Sequence, residues 1–244
     1  MGLGKMESFL ANHIEGFFNR KFSSDLEAVE LMDGLEKELR KRCKGRSGAV
    51  APNTYTIVLG TEDYHRLCAQ RVIDDLTAYI EKQVIVQDCV MDGGLSLRIG
   101  RKESLTKGTY ELESSFQNGP TEDGEPSTIV LERSHLDPNR PLNLPATHKL
   151  VSLSVVEGPD RDSYLEFGEK QIYIGRRDKN EFILTDRNAS RLHAWIEYER
   201  HRHVLHDAQS TNGTFLNGER VEAACLQPGD EIRIGESVLV YEVI

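Results

Sequence analysis

The sequence predicts two folds in one chain, an α+β domain over residues 1–116 and an all-β sandwich over residues 148–244. Three observations lead there. The first part mixes helix-period and strand-period apolar patterns, residues 117–147 are turn and breaker clusters, and the remainder is short alternating strands between polar turns. A chain of 244 residues is long enough for two cores that need no staples.

Leu10, Ile14, Phe17 and Phe18 recur at helical spacing within an opening helix at Met6–Arg20. Ser24 followed by Glu27 fits a capping box, and Leu26, Val29, Met32, Leu35 and Leu39 then mark one apolar face. Lys37, Arg40, Lys41 and Arg42 crowd the end of that helix, where cations suit the dipole. Thr54–Leu59 alternates like a strand with Tyr55, Ile57 and Leu59 on one side. Thr61 would cap a third helix with the stripe Tyr64, Cys68, Val72, Leu76 and Ile80. Val84–Val86, Leu95–Ile99 and Tyr110–Phe116 supply further strands.

Asn118-Gly119-Pro120, Asp123-Gly124-Glu125-Pro126 and Asp137-Pro138-Asn139-Arg140-Pro141 break periodicity, so residues 117–147 are expected to be a flexible linker. Beyond it Val151, Leu153 and Val155 alternate, as do Ile232 with Ile234, and Val238, Val240 and Glu242.

Composition narrows the function. A net charge of -10 argues against general nucleic-acid binding and against attraction to an anionic membrane. Cys43, Cys68, Cys89 and Cys225 are scattered without a CxxC pair, which favours reduced thiols in a cytoplasmic protein. There is no apolar run of bilayer length, no signal-peptide pattern, and Met6 stands where a myristoylation motif wants Ser or Thr. Walker, Rossmann, GxSxG and HExxH motifs are missing, so the expectation is a non-enzyme without cofactors.

The chemistry-bearing residues cluster late. Gly175-Arg176 is followed by Ser190-Arg191-Leu192-His193, then Ser210-Thr211-Asn212-Gly213-Thr214 and Asn217-Gly218. Brought together by loops, these offer guanidinium, hydroxyl and amide donors with no carboxylate among them. That inventory suits a dianionic phosphate and gives no nucleophile an activating base. Residues 148–244 carry 17 acidic and 12 basic side chains, so arginines placed in an acidic module would select a positioned anion over polyanions.

These landmarks, with Leu226–Gly235 closing the series, resemble the forkhead-associated (FHA) family over roughly Thr147–Ile244. The resemblance implies a β-sandwich that binds phosphothreonine peptides through loops at one end. Carried over residue by residue, Arg176 would be the main charged contact to phosphate. Ser190 and Thr211 would give hydroxyls, Arg191 charge-assisted donors, and Asn212 a hold on the peptide backbone. Asn188 corresponds to a position that reads the peptide three residues beyond the phosphothreonine. Gly175 and His193 would brace the loops, and Gly213, Asn217 and Gly218 would shape the turns.

Residues 1–116 resemble the domain preceding the FHA module in FhaA-like proteins of actinobacteria, through Met6–Arg20, Leu26–Arg42 and Pro52-Asn53-Thr54-Tyr55. That resemblance implies an adaptor in Ser/Thr-kinase signalling, linked to cell-wall growth and division. The implied partners are phosphothreonine-bearing proteins, a Ser/Thr protein kinase, and cell-wall or division proteins.

Four weaker signals remain. Thr128, in an acidic-then-apolar linker context, is a candidate phosphosite that could occupy the chain's own phosphate pocket; the competing reading is an accessory strand. His201, His203 and His206 lie close together, but nothing completes a four-ligand metal site. Gly45-Arg46-Ser47-Gly48, flanked by Lys41, Arg42 and Lys44, resembles a phosphate-clamping GxxG loop of the KH family and is the basis of an alternative, RNA-associated reading. A basic helix end stopped by glycine explains it more simply. Finally, His206, Asp207 and Ser210 mimic a triad, but neighbours on a strand point to opposite faces.

Overall fold

The computed structural model describes residues 26–43, 46–117 and 148–244. The expected opening helix, Ser24, Lys44, Gly45, Thr128 and nearly all of the expected linker lie outside the described residues.

Among the described residues the N-terminal part contains helices α1 (Ala28–Cys43), α2 (Thr61–Leu67) and α3 (Gln70–Val86). Its strands are β1 (Ala49–Ala51), β2 (Thr54–Leu59), β3 (Cys89–Met91), β4 (Ser96–Arg101) and β5 (Tyr110–Ser115). β2 is central, parallel to β4 and antiparallel to β5, while β1 pairs with β3 in parallel. Tyr55, Ile57 and Leu59 of β2 are buried as their alternation requires. Leu31, Leu35 and Leu39 form the inner face of α1, and Leu76, Ile80 and Val84 that of α3.

Several local expectations are corrected. Val29 is 69% exposed, because α1 starts at Ala28 and its buried face runs through Leu31. Glu27 takes the reciprocal cap, its N–H donating to Glu30 Oε2 at 2.9 Å. The third expected helix is two, broken at Cys68-Ala69, and Gly60 caps the first of them without a side-chain bond. Val84–Val86 is the last turn of α3: three β-branched residues resemble a strand locally, but Leu76, Ile80 and Val84 carry the 3.6 period straight through them. Cys43 and Cys89 are joined in a disulfide with Cα atoms 6.5 Å apart, and Cys68 and Cys225 are free. The parallel β1–β3 pair sets Ala49 against Cys89, and α1 ends close by at Cys43, so residues distant in sequence converge.

The C-terminal part is a two-sheet sandwich. In chain order its strands are β6 (Val151–Glu157), β7 (Tyr164–Phe167), β8 (Ile172–Gly175), β9 (Phe182–Ile183), β10 (Ala194–Glu199) and β11 (Arg202–Asp207). They continue with β12 (Thr214–Leu216), β13 (Glu219–Val221), β14 (Ala223–Cys225), β15 (Asp230–Ile234) and β16 (Ser237–Val243). One sheet runs β13-β12-β15-β16-β6-β7 and the other β14-β11-β10-β8-β9, antiparallel except for β8 with β9. Leu153, Ile174, Ile196, Leu205, Ile232 and Leu239 meet between them. In β16 the fully buried residues are Ser237, Leu239 and Tyr241, and not the Val238 and Val240 of the alternation expected from sequence. Both faces of that strand are apolar, so the pattern alone leaves its register open by one residue.

The two parts touch at the end of the sandwich where the β10–β11 hairpin turns. Arg202, 2% exposed, donates from Nη1 to Asp88 Oδ1 at 2.6 Å and to the Cys89 carbonyl at 3.1 Å. Its Nη2 reaches the Leu226 carbonyl at 3.1 Å, and Gln227 Nε2 also donates to Asp88. Arg200 Nε meets Asp92 Oδ1 at 2.7 Å, while the Met91 N–H donates to the Arg200 carbonyl at 3.0 Å. Ile85 of α3 joins the sandwich core.

Candidate functional site

The opposite end of the sandwich gathers the residues singled out from sequence. β8 ends at Gly175, where the chain must pass the 190–193 loop at close range. A Cβ there would lie 2.7 Å from the Ser190 carbonyl and 2.8 Å from that of Arg191, at a φ of +148°. Only glycine fits both conditions. The Arg176 N–H then donates to the Ser190 carbonyl at 3.0 Å, the Arg177 N–H to the Arg191 carbonyl at 2.9 Å, and Arg176 Nε to the Ala189 carbonyl at 2.7 Å. Fixing Arg176 through Nε leaves its two terminal nitrogens on an exposed face. Among the described residues neither Arg176 nor Arg191 pairs with a carboxylate.

His193 is the brace between loops. It is fully buried; Nδ1 accepts the Ser190 N–H at 2.9 Å, which leaves Nε2 to donate to the Gly213 carbonyl at 3.2 Å. Burial lowers its pKa, against the Gly213 carbonyl and Asp207, so the ring is held in this neutral form. Ser190 Oγ accepts the Thr211 N–H at 3.1 Å, which leaves its own proton to donate elsewhere. Asn212 Nδ2 donates to the Asn188 carbonyl at 2.8 Å, and Asn188 Nδ2 to Glu236 Oε1 at 3.1 Å. Arg176, Asn188, Ser190, Arg191, Thr211 and Asn212 thus come together from three loops.

Asn217 and Gly218 do not join them. They form the two-residue turn between β12 and β13, at the far end of β12 from Thr214. Asn217 ties that turn to β15 through Asp230 at 2.8 Å and the Glu231 N–H at 3.0 Å, so the pair supports the sheet and not the loops.

Two carboxylates position the loops, a role not read from sequence, where Asp207 figures only in the mimicked triad and Asp186 not at all. Asp186 receives the N–H groups of Asn188, Glu236 and Ser237 at 2.8, 2.7 and 3.0 Å, pinning two loops together. Asp207 receives Ser210 Oγ and Thr214 Oγ1, each at 2.6 Å, and folds the 208–213 loop. Burial works against ionisation of both, yet their donors hold each carboxyl below the usual range. Asp186-x-Asn188 and Asp207-x-x-Ser210 have the spacing of side-chain-closed turns, a signal that was available.

The histidine group separates into three surroundings. His203 is buried against Tyr241 and the Gly168 carbonyl, His201 reaches the Gly93 carbonyl at 3.0 Å, and His206 stacks on Trp195. The Arg46-Ser47-Gly48 loop leads directly into β1, with the Gly48 N–H bound to the Asp88 carbonyl at 2.8 Å, so it joins a helix to a strand.

A family described as "FhaA, N-terminal domain" matches residues 3–113, and one described as "FHA domain" matches residues 172–235. The chain is 34% identical over 108 residues to the FHA domain-containing protein FhaB of Mycolicibacterium smegmatis, covering 44% of this chain and 67% of that one. It is 35% identical over 89 residues to the glycogen accumulation regulator GarA of Mycobacterium tuberculosis, covering 36% of this chain and 55% of GarA. A crystal structure of the FhaA FHA domain complexed with the intracellular domain of Rv3910 aligns at 34% identity. That alignment covers 38% of this chain and 99% of the solved one, with a TM-score of 0.35.

Proposed function

The chain belongs to the forkhead-associated family, and we propose that it is a non-catalytic, cytoplasmic adaptor that recognises phosphothreonine on partner proteins in a Ser/Thr-kinase pathway. The observation that carries this reading is the pair of exposed, unpaired guanidinium groups beside a hydroxyl whose proton is free to donate. Phosphothreonine brings about -1.5 to -2 charges and three acceptor oxygens to such a site. Arg176 and Arg191 would supply charge-assisted donors and Ser190 and Thr211 hydroxyls, while Asn212 would hold the peptide backbone and Asn188 face the residues that follow. Gly175, His193 and Gly213 set the loops. Residues 1–116 would contact a second protein, residues 117–147 would connect it to the reader at 148–244, and the setting would be cell-wall growth and division.

The test is calorimetric titration of the whole chain with matched phosphothreonine, phosphoserine and unphosphorylated peptides. Binding confined to phosphothreonine is expected, with Arg176→Ala losing about 2–5 kcal/mol. Undiminished binding by that variant would remove the assigned pocket.

A further inference from the structure

Beneath the β10–β11 turn, between the N-terminal part and the sandwich, lies a cleft of about 650 Å³. Glu81 of α3 lines it and is only 5% exposed, yet among the described residues its carboxylate accepts no hydrogen bond. Its nearest basic neighbour, His201 Nδ1, is 3.8 Å away, and that nitrogen is already 3.2 Å from the Tyr198 hydroxyl. Across the cleft stands Glu169, which carries no ion pair among the described residues, and Asp74 lies two helical turns before Glu81 on the same side. Arg200, the fixed cation of the lining, is bound to Asp92. Burial, and then the Glu169 charge, raises the Glu81 pKa to about 7. A buried carboxylate with no donors is costly, and both its burial and the Glu169 charge make its own charge harder to keep.

The group that relieves this arrangement has several donors, positive charge and no acceptor, which describes an ammonium or a guanidinium. Among the described residues no three His, Cys, Asp or Glu side chains converge as a metal would require. The volume is that of a small-ligand site. We propose that this interdomain cleft binds an organic cation, gripped by Glu81 from one side and Glu169 from the other. The cation is either a free amine or guanidine compound, or an arginine or lysine side chain of a partner protein. Either would bridge the two parts of the chain at the end of the sandwich away from the phosphate loops.

The experiment titrates the whole chain, at mildly alkaline pH, with agmatine and with an acetyl-Gly-Arg-Gly-amide peptide and its citrulline counterpart, observed by calorimetry and amide chemical shifts. Saturable binding of agmatine supports a free cation, and binding of the arginine peptide alone supports a partner side chain. In either case Glu81→Gln should weaken binding roughly 10- to 100-fold. Glu169→Gln, at an exposed position that cannot unfold the core, should weaken it in the same direction, and both variants should keep phosphopeptide affinity unchanged. The proposal fails if neither cation saturates, if the citrulline peptide binds equally, or if both variants bind as wild type does.

Discussion

The sandwich presents arginines at both ends, and their surroundings differ completely. At the loop end Arg176 and Arg191 are exposed and meet no carboxylate among the described residues. At the hairpin end Arg202 is buried with three hydrogen bonds, and Arg200 is paired with Asp92. One residue type therefore does two jobs, and carboxylate pairing separates them. A guanidinium paired with a carboxylate joins the two parts of the molecule; one fixed only to a backbone carbonyl through Nε is positioned and left open for a ligand. The two ends lie about 17 Å apart along β10, so either can be altered without touching the other.

The most direct way to break the comparison is to truncate one arginine at each end. Arg202→Ala leaves the Cys89 and Leu226 carbonyls without that donor and takes one charged partner from the part-buried Asp88, which keeps Gln227, so a loss of about 2–3 kcal/mol is expected. Denaturant unfolding should show that loss, while phosphopeptide affinity of the folded protein stays within about twofold of wild type. Arg176→Ala should do the reverse, with an unfolding midpoint that does not move and an affinity that collapses. If Arg202→Ala abolished phosphopeptide binding in the folded state, the ends would be coupled and the division of roles would be wrong.

Proton linkage sharpens the same contrast, because two buried groups pull in opposite directions. Glu81 is held at about 7 against an ordinary 4.5, so between those pH values the unfolded chain has released a proton that the folded chain keeps. Stability then falls as pH rises through that window, by about 3 kcal/mol in all. His203 is lowered by burial to about 4 from 6.5, so in that window the unfolded chain binds a proton the fold refuses. Stability rises with pH there by a similar ~3 kcal/mol. Where the windows overlap these two contributions cancel, while buried His193, also lowered, adds to the rising arm. Glu81→Gln removes the falling arm: the variant should match wild type near pH 4 and exceed it by about 3 kcal/mol above pH 7. A profile unchanged by that substitution would show that the carboxyl is not desolvated at the joint.

How much of this was legible in the sequence follows from the same two ends. The phosphate loops announce themselves because Gly175-Arg176, Ser190-Arg191-x-His193 and Thr211-Asn212-Gly213 are local signatures whose spacing survives without coordinates. The joint does not. Arg202 and Asp88 are 114 residues apart, each in an ordinary polar context, and only the turn of a hairpin brings them together. Cys43 and Cys89 were misjudged for that reason, since the parallel pairing of β1 with β3 cannot be read from four scattered cysteines. His201, His203 and His206 looked like one cluster because strand periodicity gives facing but not depth: one is core, one lies at the joint, one stacks on Trp195. The register of β16 stayed hidden because apolar residues occupy both its faces.

The smallest effects test whether the scaffold at the loop end is as specialised as the ligand groups. Gly175→Ala places a methyl group against the Ser190 and Arg191 carbonyls at a φ of +148°. Strain of about 1–3 kcal/mol is expected, and its relief must push the 190–193 loop away from Arg176, so stability and phosphopeptide affinity should fall together. Gly218→Ala is the matching control. Its φ is +86°, but nothing lies within 4 Å of the added carbon, so only the backbone term remains, about 1 kcal/mol. Because the Asn217-Gly218 turn braces β15 and faces away from the loops, that loss should appear in thermal unfolding with no change in affinity. A drop in affinity for Gly218→Ala equal to that for Gly175→Ala would mean that the sheet transmits strain to the phosphate loops, and the boundary between brace and site would then have to be drawn around the whole of β12.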